Sequence, residues 1–316
     1  MNKPILLLAL VFTLFFMGNS YAQQDAQYTQ YMFNTMSVNP AYAGSRGQLS
    51  IAALYRSQWV GLDGAPTSQT LNIHSPIRNS RLGYGISIVN DEIGDGTVQE
   101  TYIDGVISYT IDVSRTGKLS FGLKAGGNFL NLDFNKLRNF DNESVAGENI
   151  ENRFSPNFGV GVYYHTDKFY MGLSAPNLLE TDYFDNSNRD ANSVSFLSKE
   201  RVNFYAITGY VFDLSNEFKF KPAVLTKVVG GAPLQVDISA NFMFNDKFTF
   251  GGAYRWDAAV SALAGFQVSD QIMIGLAYDK ETTELGSTRF NDGSFEVFLR
   301  YELVRSFRKL VSPRFF

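Results

Sequence analysis

The chain has 316 residues, a formal net charge of −4 at pH 7 and no cysteine. Disulfides and thiolate chemistry are therefore excluded, and nothing in the composition is basic enough to indicate a nucleic-acid partner. The high counts of phenylalanine (28), tyrosine (17) and glycine (27) are typical of membrane barrels, in which aromatic rings form girdles and glycine relieves crowding between strands.

The first 22 residues have the pattern of a secretory signal peptide. Lys3 supplies the positive charge, Ile5–Met17 is the apolar segment, and Ser20-Tyr21-Ala22 is a small-residue cleavage site. Cleavage before Gln23 leaves 316 − 22 = 294 residues with a side-chain charge of 26 − 31 = −5. The apolar segment is shorter than the roughly 20 residues of a spanning helix, which disfavours an uncleaved anchor.

The remaining chain alternates apolar and polar residues in runs of about ten, which predicts strands with one apolar face. In Leu234–Phe244, for example, Ile238 and Phe242 share one face, whereas Asp237 and Asn241 share the other. The same alternation fits a soluble sandwich or an antiparallel transmembrane β-barrel. About fourteen strands are predicted, beginning near Leu49, Thr67, Leu82, Glu100, Lys118, Asn157, Lys168, Arg201, Glu217, Leu234, Lys247, Ala258, Gln271 and Ser294.

Loop lengths favour the barrel over the sandwich. Most connections after even strands are short turn-forming pairs, whereas the long ones, Leu132–Pro156, Pro176–Glu200 and Glu281–Gly293, follow odd strands. Outer-membrane barrels have short periplasmic turns and long outer loops, and an even strand number lets both termini lie in the periplasm. Aromatic residues near the strand ends, including Tyr163, Tyr170, Tyr254 and Trp256, are predicted to form interfacial girdles.

These observations predict an all-β protein with a single domain after its cleaved signal. Its parts are a signal peptide (1–22), an N-terminal periplasmic arm or plug (23–48), an outer-membrane barrel of about 14 strands (49–304) and a C-terminal periplasmic tail (305–316). The arm contains several aromatic residues, which argues against disorder. We expect it to lie at the periplasmic mouth or to fold into the lumen.

No catalytic, cofactor-binding or metal-binding site is predicted. His74 and His165 are the only histidines, and neither belongs to a recognisable triad. Neither the P-loop spacing nor the dinucleotide fingerprint occurs. The loop Thr181–Glu200 is rich in Asp and Asn but lacks the Gly and terminal Glu of an EF-hand. We therefore interpret the protein as a non-enzyme.

Several motifs resemble the PorP/SprF family of type IX secretion membrane proteins, and together they extend over the whole mature chain. Two lie in the arm and two in the first strand and loop. The motifs are Gln30–Asn34, Asn39–Gly44, Tyr55–Gly61, Gly64–Pro66, Gly83–Gly85, Ser174–Asn177, Ser261–Gln267 and Ser312–Phe316.

The resemblance implies an outer-membrane barrel that works in secretion and surface anchoring of client proteins such as gliding adhesins. Implied partners are a secreted client with a type IX C-terminal sorting domain, periplasmic or peptidoglycan-linked type IX components, and outer-membrane lipid. The candidate partner-binding residues are Trp59, in the first outer loop, and the motif residues Asn39, Pro40, Tyr42 and Arg56. The choice between adhesin accessory and core component stays open.

The alternative function is a porin or transporter for small or hydrophobic solutes. Charged residues predicted to face the lumen, Asp104, Lys124, Glu296 and Arg300, would line such a pore or form ion pairs that fill a closed barrel. Their mixed sign favours the filled barrel, because a selective pore more often carries one sign of charge. An outer-membrane hydrolase is the third possibility, and the placement of the histidines disfavours it.

Overall fold

Alternation with a period of two produces strands along most of the chain. The computed structural model describes residues 27–136, 149–180, 201–288 and 291–303; the predicted signal peptide and the predicted tail lie outside them. The strands are β1 Ser50–Ser57, β2 Thr67–Pro76, β3 Leu82–Ile93, β4 Val98–Asp112, β5 Lys118–Leu132, β6 Ile150–His165, β7 Phe169–Ala175, β8 Asn203–Tyr210, β9 Phe212–Asp213, β10 Phe218–Val229, β11 Gln235–Phe244, β12 Phe248–Arg255, β13 Ala259–Gln267, β14 Ile272–Glu281 and β15 Ser294–Glu302.

The strands close into one antiparallel barrel. Each pairs with its neighbours in the chain, and β15 pairs with β1 to complete the ring. β8 and β9 are two parts of one barrel strand interrupted at Val211, because both pair with β10 in the same register. The barrel therefore has fourteen strands, as predicted. Among the described residues, no helix is long and apolar enough to cross a membrane.

Short helical segments lie outside the barrel wall. A single α-helical turn, α1, spans Thr35–Val38 and is followed directly by the 3-10 helix Pro40–Tyr42. The Asn39 side chain caps that 3-10 helix by accepting a hydrogen bond from the Ala41 backbone N–H. Two further 3-10 turns, Phe134–Lys136 and Glu284–Ser287, belong to the connections between strands.

The two faces of the wall are as the sequence predicts. In β11, Ile238 is 47% exposed on the outside, whereas Asp237 is 3% exposed and faces the interior. β15 shows the same alternation, with Val297 and Leu299 outside and Glu296 inside. The outer face is thus an apolar band suited to lipid, and the interior is polar.

The connections differ in length at the two ends of the barrel, which we name the short-turn rim and the long-loop rim. The short-turn rim carries connections such as 113–117, 166–168 and 245–247. Asn245 and Asp246 both have positive φ (52° and 53°), as a tight type I′ hairpin turn requires. The long-loop rim carries 133–149, 176–202 and 282–293, of which 137–148, 181–200 and 289–290 lie outside the described residues.

One side of the long-loop rim stands higher than the rest. β4, β5 and β6 contain 15, 15 and 16 residues, whereas a membrane-spanning strand needs about 9–11. The connection between β5 and β6 is therefore shorter than the predicted loop Leu132–Pro156, because β6 begins at Ile150. Alternation did not reveal these added residues because Glu151, Asn152 and Arg153 are all polar. We call the segments 98–102, 127–132 and 150–156 the raised wall.

The predicted aromatic girdles are correct in part. Tyr254 and Trp256 are exposed at the long-loop rim, as expected. Tyr163 and Tyr170 are instead buried in the lumen, where the Tyr163 ring packs edge-on against Tyr42 with 5.5 Å between ring centroids. These two positions fall on the inward face of their strands. Their rings therefore point into the lumen, because alternate residues of a strand face opposite sides of the wall.

Candidate functional site inside the barrel

Residues 27–48 fill the lumen, and we call this segment the plug. Its side chains are almost all buried, with Tyr31 at 1% and Ala41 at 0% exposure. Of the two predicted positions for the arm, the structure places it in the lumen. Thr29 lies near the long-loop rim, beside Glu296, and Gly44 lies at the short-turn rim, beside Gly83. The plug therefore runs the length of the barrel with its N-terminal end toward the long loops.

The C-terminal half of the plug, residues 39–48, fits against glycines in the wall. A Cβ atom on Gly122 would lie 2.1 Å from the Ala41 nitrogen, and one on Gly161 would lie 2.1 Å from Asn39 Oδ1. Any residue larger than glycine at these two wall positions would require the plug to move. The Asn39 Nδ2 also donates to the Val162 carbonyl at 3.1 Å, so this half is closely fitted to β5 and β6.

A buried ion pair closes the short-turn end. Arg46 is bound by the Glu302 carboxylate through Nε and Nη2, the second contact at 2.9 Å. Burial lowers the pKa of Arg46, but the nearby Glu302 carboxylate outweighs it and the net shift is upward, so Arg46 stays charged. Beside it, the Gly44 N–H donates to His74 Nδ1 at 3.1 Å and Ser108 donates to the Ala43 carbonyl at 2.7 Å.

The N-terminal half of the plug, residues 27–38, is bound near the long-loop rim by one carboxylate. Glu296 accepts the Thr29 N–H on Oε1 at 2.5 Å and the Gln30 N–H on Oε2 at 2.9 Å. Thr29 Oγ1 donates to Asp279 Oδ2 at 2.6 Å. Arg56 Nη1 bridges both acids, at 2.7 Å from Asp279 Oδ2 and 2.7 Å from Glu296 Oε1. We call Arg56, Asp279 and Glu296 the latch.

This half also contacts the wall away from the latch. The Tyr31 hydroxyl lies 3.1 Å from Ser239 Oγ, and burial raises the pKa of this phenol, which keeps it protonated. The Asn72 Nδ2 donates to Asn34 Oδ1 at 2.6 Å. The Gln30 side chain is buried, yet neither of its amide atoms has a hydrogen-bond partner within the described part of the chain, an arrangement that costs stability.

A cleft of about 60 Å³ separates this half of the plug from the opposite wall. Lys124 and Asp104 form an ion pair there (2.8 Å), and Lys124 also donates to Asn177 Oδ1 at 3.0 Å. The cleft lies on the side of the raised wall and of the two longest connections. Its other lining residues are Tyr28, Met36, Ser37, Val38, Ser87, Val89, Asp91, Tyr102, Pro176 and Tyr205.

Four of the five predicted partner-binding residues lie inside the barrel. Asn39, Pro40 and Tyr42 are buried in the C-terminal half of the plug, and Arg56 is buried in the latch. The structure thus gives these side chains internal contacts, and a direct contact with a partner outside the barrel would require their exposure. Only Trp59 lies in a connection at the long-loop rim.

Trp59, the candidate in the first outer loop, is partly exposed. Its indole Nε1 donates to Glu281 Oε1 at 3.1 Å, and its backbone N–H donates to Ser294 Oγ at 3.2 Å. Its φ of 45° lies in the left-handed region, which is strained for a large side chain. These contacts hold the loop 58–66 against the ends of β14 and β15, which flank the loop 282–293.

The sequence identified part of this site. Asp104, Lys124, Glu296 and Arg300 face the lumen as predicted, and three of them form ion pairs within 3 Å. Arg300 lies 4.0 Å from Glu302. Asp279, Arg46 and Glu302 were not singled out as site residues. The inward parity of Asp279 in β14 could have identified it, but nothing in the sequence pairs Arg46 with the last strand.

The polar contacts of the described site residues are hydrogen bonds and ion pairs. His74 accepts a backbone hydrogen bond, and the ring of His165 packs 5.6 Å from that of Tyr163. Among the described residues, no three His, Asp or Glu side chains are placed to hold a metal ion. The Asp- and Asn-rich loop Thr181–Glu200 lies outside the described residues.

Comparison with solved structures shows the fold of outer-membrane channels. The CymD monoaromatic hydrocarbon channel has a TM-score of 0.50 at 10% identity, over 91% of this chain and 95% of that one. Omp33 of Acinetobacter baumannii has a TM-score of 0.47 at 7% identity, over 81% and 98% of the two chains. At these identities the likeness concerns the fold alone. No curated protein sequence matches this chain.

The sequence profile of one family, described as type IX secretion system membrane protein PorP/SprF, matches residues 20–301. The chain belongs to the PorP/SprF family. This confirms the resemblance drawn from the motifs, two of which, Gln30–Asn34 and Asn39–Gly44, are segments of the plug. A closed barrel with an apolar outer band in this membrane-protein family is located in the bacterial outer membrane.

Proposed function

We propose that this PorP/SprF barrel binds secreted client proteins of the type IX system and anchors them at the cell surface, with its long-loop rim outward. The filled lumen is the observation that carries the proposal. The plug extends from one rim to the other, and two cavities beside its described residues measure about 10 and 60 Å³. A solute pore needs a continuous passage, whereas a protein-binding barrel does not.

The client would contact the long-loop rim. Long outer loops are the parts of such barrels that face the medium. Here the two longest connections, 133–149 and 176–202, begin after β5 and β7, next to the raised wall and the cleft. A client carrying a type IX C-terminal sorting domain, such as a gliding adhesin, would be held between these elements. The short-turn rim would face periplasmic or peptidoglycan-linked type IX components.

The proposed role is non-enzymatic. His74 and the buried acids Asp279, Glu296 and Glu302 make contacts that seat the plug, which supports a binding function. The alternative is a transporter of small or hydrophobic solutes, which would require the plug to move far enough to open a through-passage.

Two measurements test the proposal together. Deletion of the gene should release one or more type IX clients from the surface or block their display, as seen by mass spectrometry of surface and medium fractions. The purified barrel should show no steady conductance in a planar bilayer. Normal display of every client in the deletion strain, with lost uptake of one nutrient and a conducting barrel, would establish the transport function instead.

A further inference from the structure

The two halves of the plug are held in different ways. Residues 39–48 are fitted to wall glycines and joined to β15 by the Arg46–Glu302 pair. Residues 27–38 border the cleft and include Gln30, whose buried amide is unsatisfied within the described part of the structure. At the long-loop rim this half is attached through the latch. The N-terminal half also packs Tyr31, Phe33 and Met36 into the buried core, and Gln30 lies against Gly275. Its release therefore requires a competitor that replaces the contacts it loses.

The latch has the chemistry of a peptide-binding site. Its carboxylate, Glu296, receives two consecutive backbone N–H groups, one on each oxygen. Its second acid, Asp279, receives the hydroxyl of the first of these residues, and Arg56 donates to the same hydroxyl at 3.2 Å. Thr29 and Gln30 lie in a turn, which directs both N–H groups to the same side. Any turn-forming segment with serine or threonine followed by a residue other than proline presents the same donors, because proline alone lacks a backbone N–H.

We propose that the latch is a peptide-binding site occupied in the resting barrel by Thr29 and Gln30, and that a client segment of this chemistry displaces residues 27–38 from it. That the competitor is a client rests on the proposed function, whereas the peptide-binding site is argued from the contacts of the latch alone. The C-terminal half of the plug stays in place, so the exchange opens the outer half of the lumen without opening a pore.

Charge makes exchange easier than simple release. Two buried carboxylates share one guanidinium in the latch, and a buried charge without hydrogen-bond donors is strongly unfavourable. A competing segment that supplies two N–H groups and a hydroxyl keeps both acids satisfied throughout. The latch therefore favours replacement of its peptide over an empty state, which suits a barrel that opens only when a client is present.

The position of the latch allows access from the client side. Arg56 is the residue before the last of β1, and Glu296 is the third residue of β15, so both lie close to the long-loop rim. The cleft beside Met36 and Val38 provides space on the opposite side of the plug. A segment that enters from the long-loop side thus reaches the latch without passing the C-terminal half of the plug.

Cysteine labelling of the purified full-length barrel tests the latch, because the chain has no cysteine of its own. Met36→Cys reports on the N-terminal half and Ala43→Cys on the C-terminal half; both side chains are buried. Adding Glu296→Ala should speed thiol labelling at position 36 about tenfold, as expected for loss of hydrogen bonds to a charged group. Labelling at position 43 should not change. The conservative Glu296→Gln, which keeps an acceptor, should give an intermediate rate at position 36.

A peptide competition keeps the wild-type latch and so does not depend on how well a variant folds. A synthetic peptide with the sequence of residues 27–34 should accelerate labelling at position 36. The same peptide methylated on the backbone nitrogens of its Thr29 and Gln30 equivalents should not. Equal effects of both peptides, no effect of either, or parallel acceleration at positions 36 and 43 would overturn the peptide-binding latch.

A cellular arm separates this proposal from the proposed function. Glu296→Gln should reduce client display while barrel abundance and heat-modifiable migration are kept. If the peptides compete but Glu296→Gln cells display clients normally, the client is not the competitor. If the gene deletion itself leaves client display intact, the proposed anchoring function is wrong. The peptide competition would still show whether the latch is a peptide-binding site.

Discussion

Arg46, at the base of the plug, and Glu302, at the end of β15, form a buried ion pair that joins the plug to the strand that closes the barrel. The Arg46 Nη2 lies 2.9 Å from Glu302 Oε2, and both side chains are almost fully buried. Because β15 also pairs with β1, which follows the plug directly, this contact connects seating of the plug with closure of the barrel.

The pair predicts a large effect from loss of one partner. Arg46→Met should destabilise the barrel by about 3–5 kcal/mol, since it leaves the Glu302 carboxylate buried without its counter-ion. The double variant Arg46→Met/Glu302→Leu should recover part of that loss. Urea unfolding of the barrel in lipid vesicles measures both. An Arg46→Met barrel as stable as wild type would mean that the plug is not coupled to the wall.

Wall glycines predict a second, steric effect. Gly122→Ala places a methyl group within 2.1 Å of the Ala41 nitrogen, so the plug must shift, and overpacking of this kind costs about 1–3 kcal/mol. Gly105→Ala is the matched control, because the nearest atom to its Cβ, the Ala125 carbonyl oxygen, lies at 3.7 Å. Protease resistance of the plug should fall in the first variant only; equal resistance in both would contradict the fitted-glycine account.

The wall itself can be tested at neighbouring positions. Ile238→Arg puts a charge into the apolar band and should destabilise the barrel by about 2–4 kcal/mol near the membrane midplane, whereas Ile238→Leu should be neutral. Asp237→Asn also destabilises, because Asp237 Oδ1 accepts from Arg255 Nε at 2.9 Å and the guanidinium would lose its counter-ion. Folding yields in vesicles measure these variants. Normal folding of Ile238→Arg would reverse the assignment of the two faces.

The barrel could be predicted from the sequence because each strand shows its own alternation of apolar and polar residues. A period of two over eight or more residues decides which side chains face lipid, and this sufficed to place Asp237 and Glu296 inside and Ile238 outside. It also sufficed to find fourteen strands. The length of β6 was missed where polar residues follow one another without alternation, since a strand that has left the membrane no longer needs an apolar face.

Contacts of the plug could not be predicted in the same way. Thr29 and Glu296, which make the shortest contact of the latch, are 267 positions apart. Alternation reports that Glu296 faces inward but carries no information about what fills the interior. The family motifs marked Asn39, Pro40 and Arg56 as partner-binding candidates, and the structure buries all three in contacts within the barrel. Their role in partner binding stays a prediction.

Orientation in the membrane is a separate prediction. Positions Asn142 and Asn188, natural choices for labelling the long loops, lie outside the described residues, so Asp63 in the loop 58–66 is a better site. Asp63→Cys on the long-loop rim should react with a membrane-impermeant thiol reagent on intact cells, whereas Asp167→Cys on the short-turn rim should not. Both side chains are exposed. The opposite labelling pattern would mean that the short-turn rim faces the medium.

Trp59 remains the preferred single residue for testing client contact at the rim. Its indole is partly exposed and is oriented by Glu281 at 3.1 Å, and tryptophan is prominent among residues that dominate binding energy at interfaces. Trp59→Ala should reduce surface retention of the client while barrel abundance and heat-modifiable migration stay normal. The measure is the client fraction found on cells and in the medium.

Trp59→Phe separates the two roles that this side chain can have. It keeps a ring for contact with a client but removes the N–H that Glu281 accepts, so it should retain most client binding if the ring face makes the contact. Glu281→Gln, which keeps an acceptor for the indole, is the matched control and should behave as wild type. If Trp59→Ala lowers the amount of folded barrel itself, Trp59 is a structural residue of the rim and the client contact lies elsewhere.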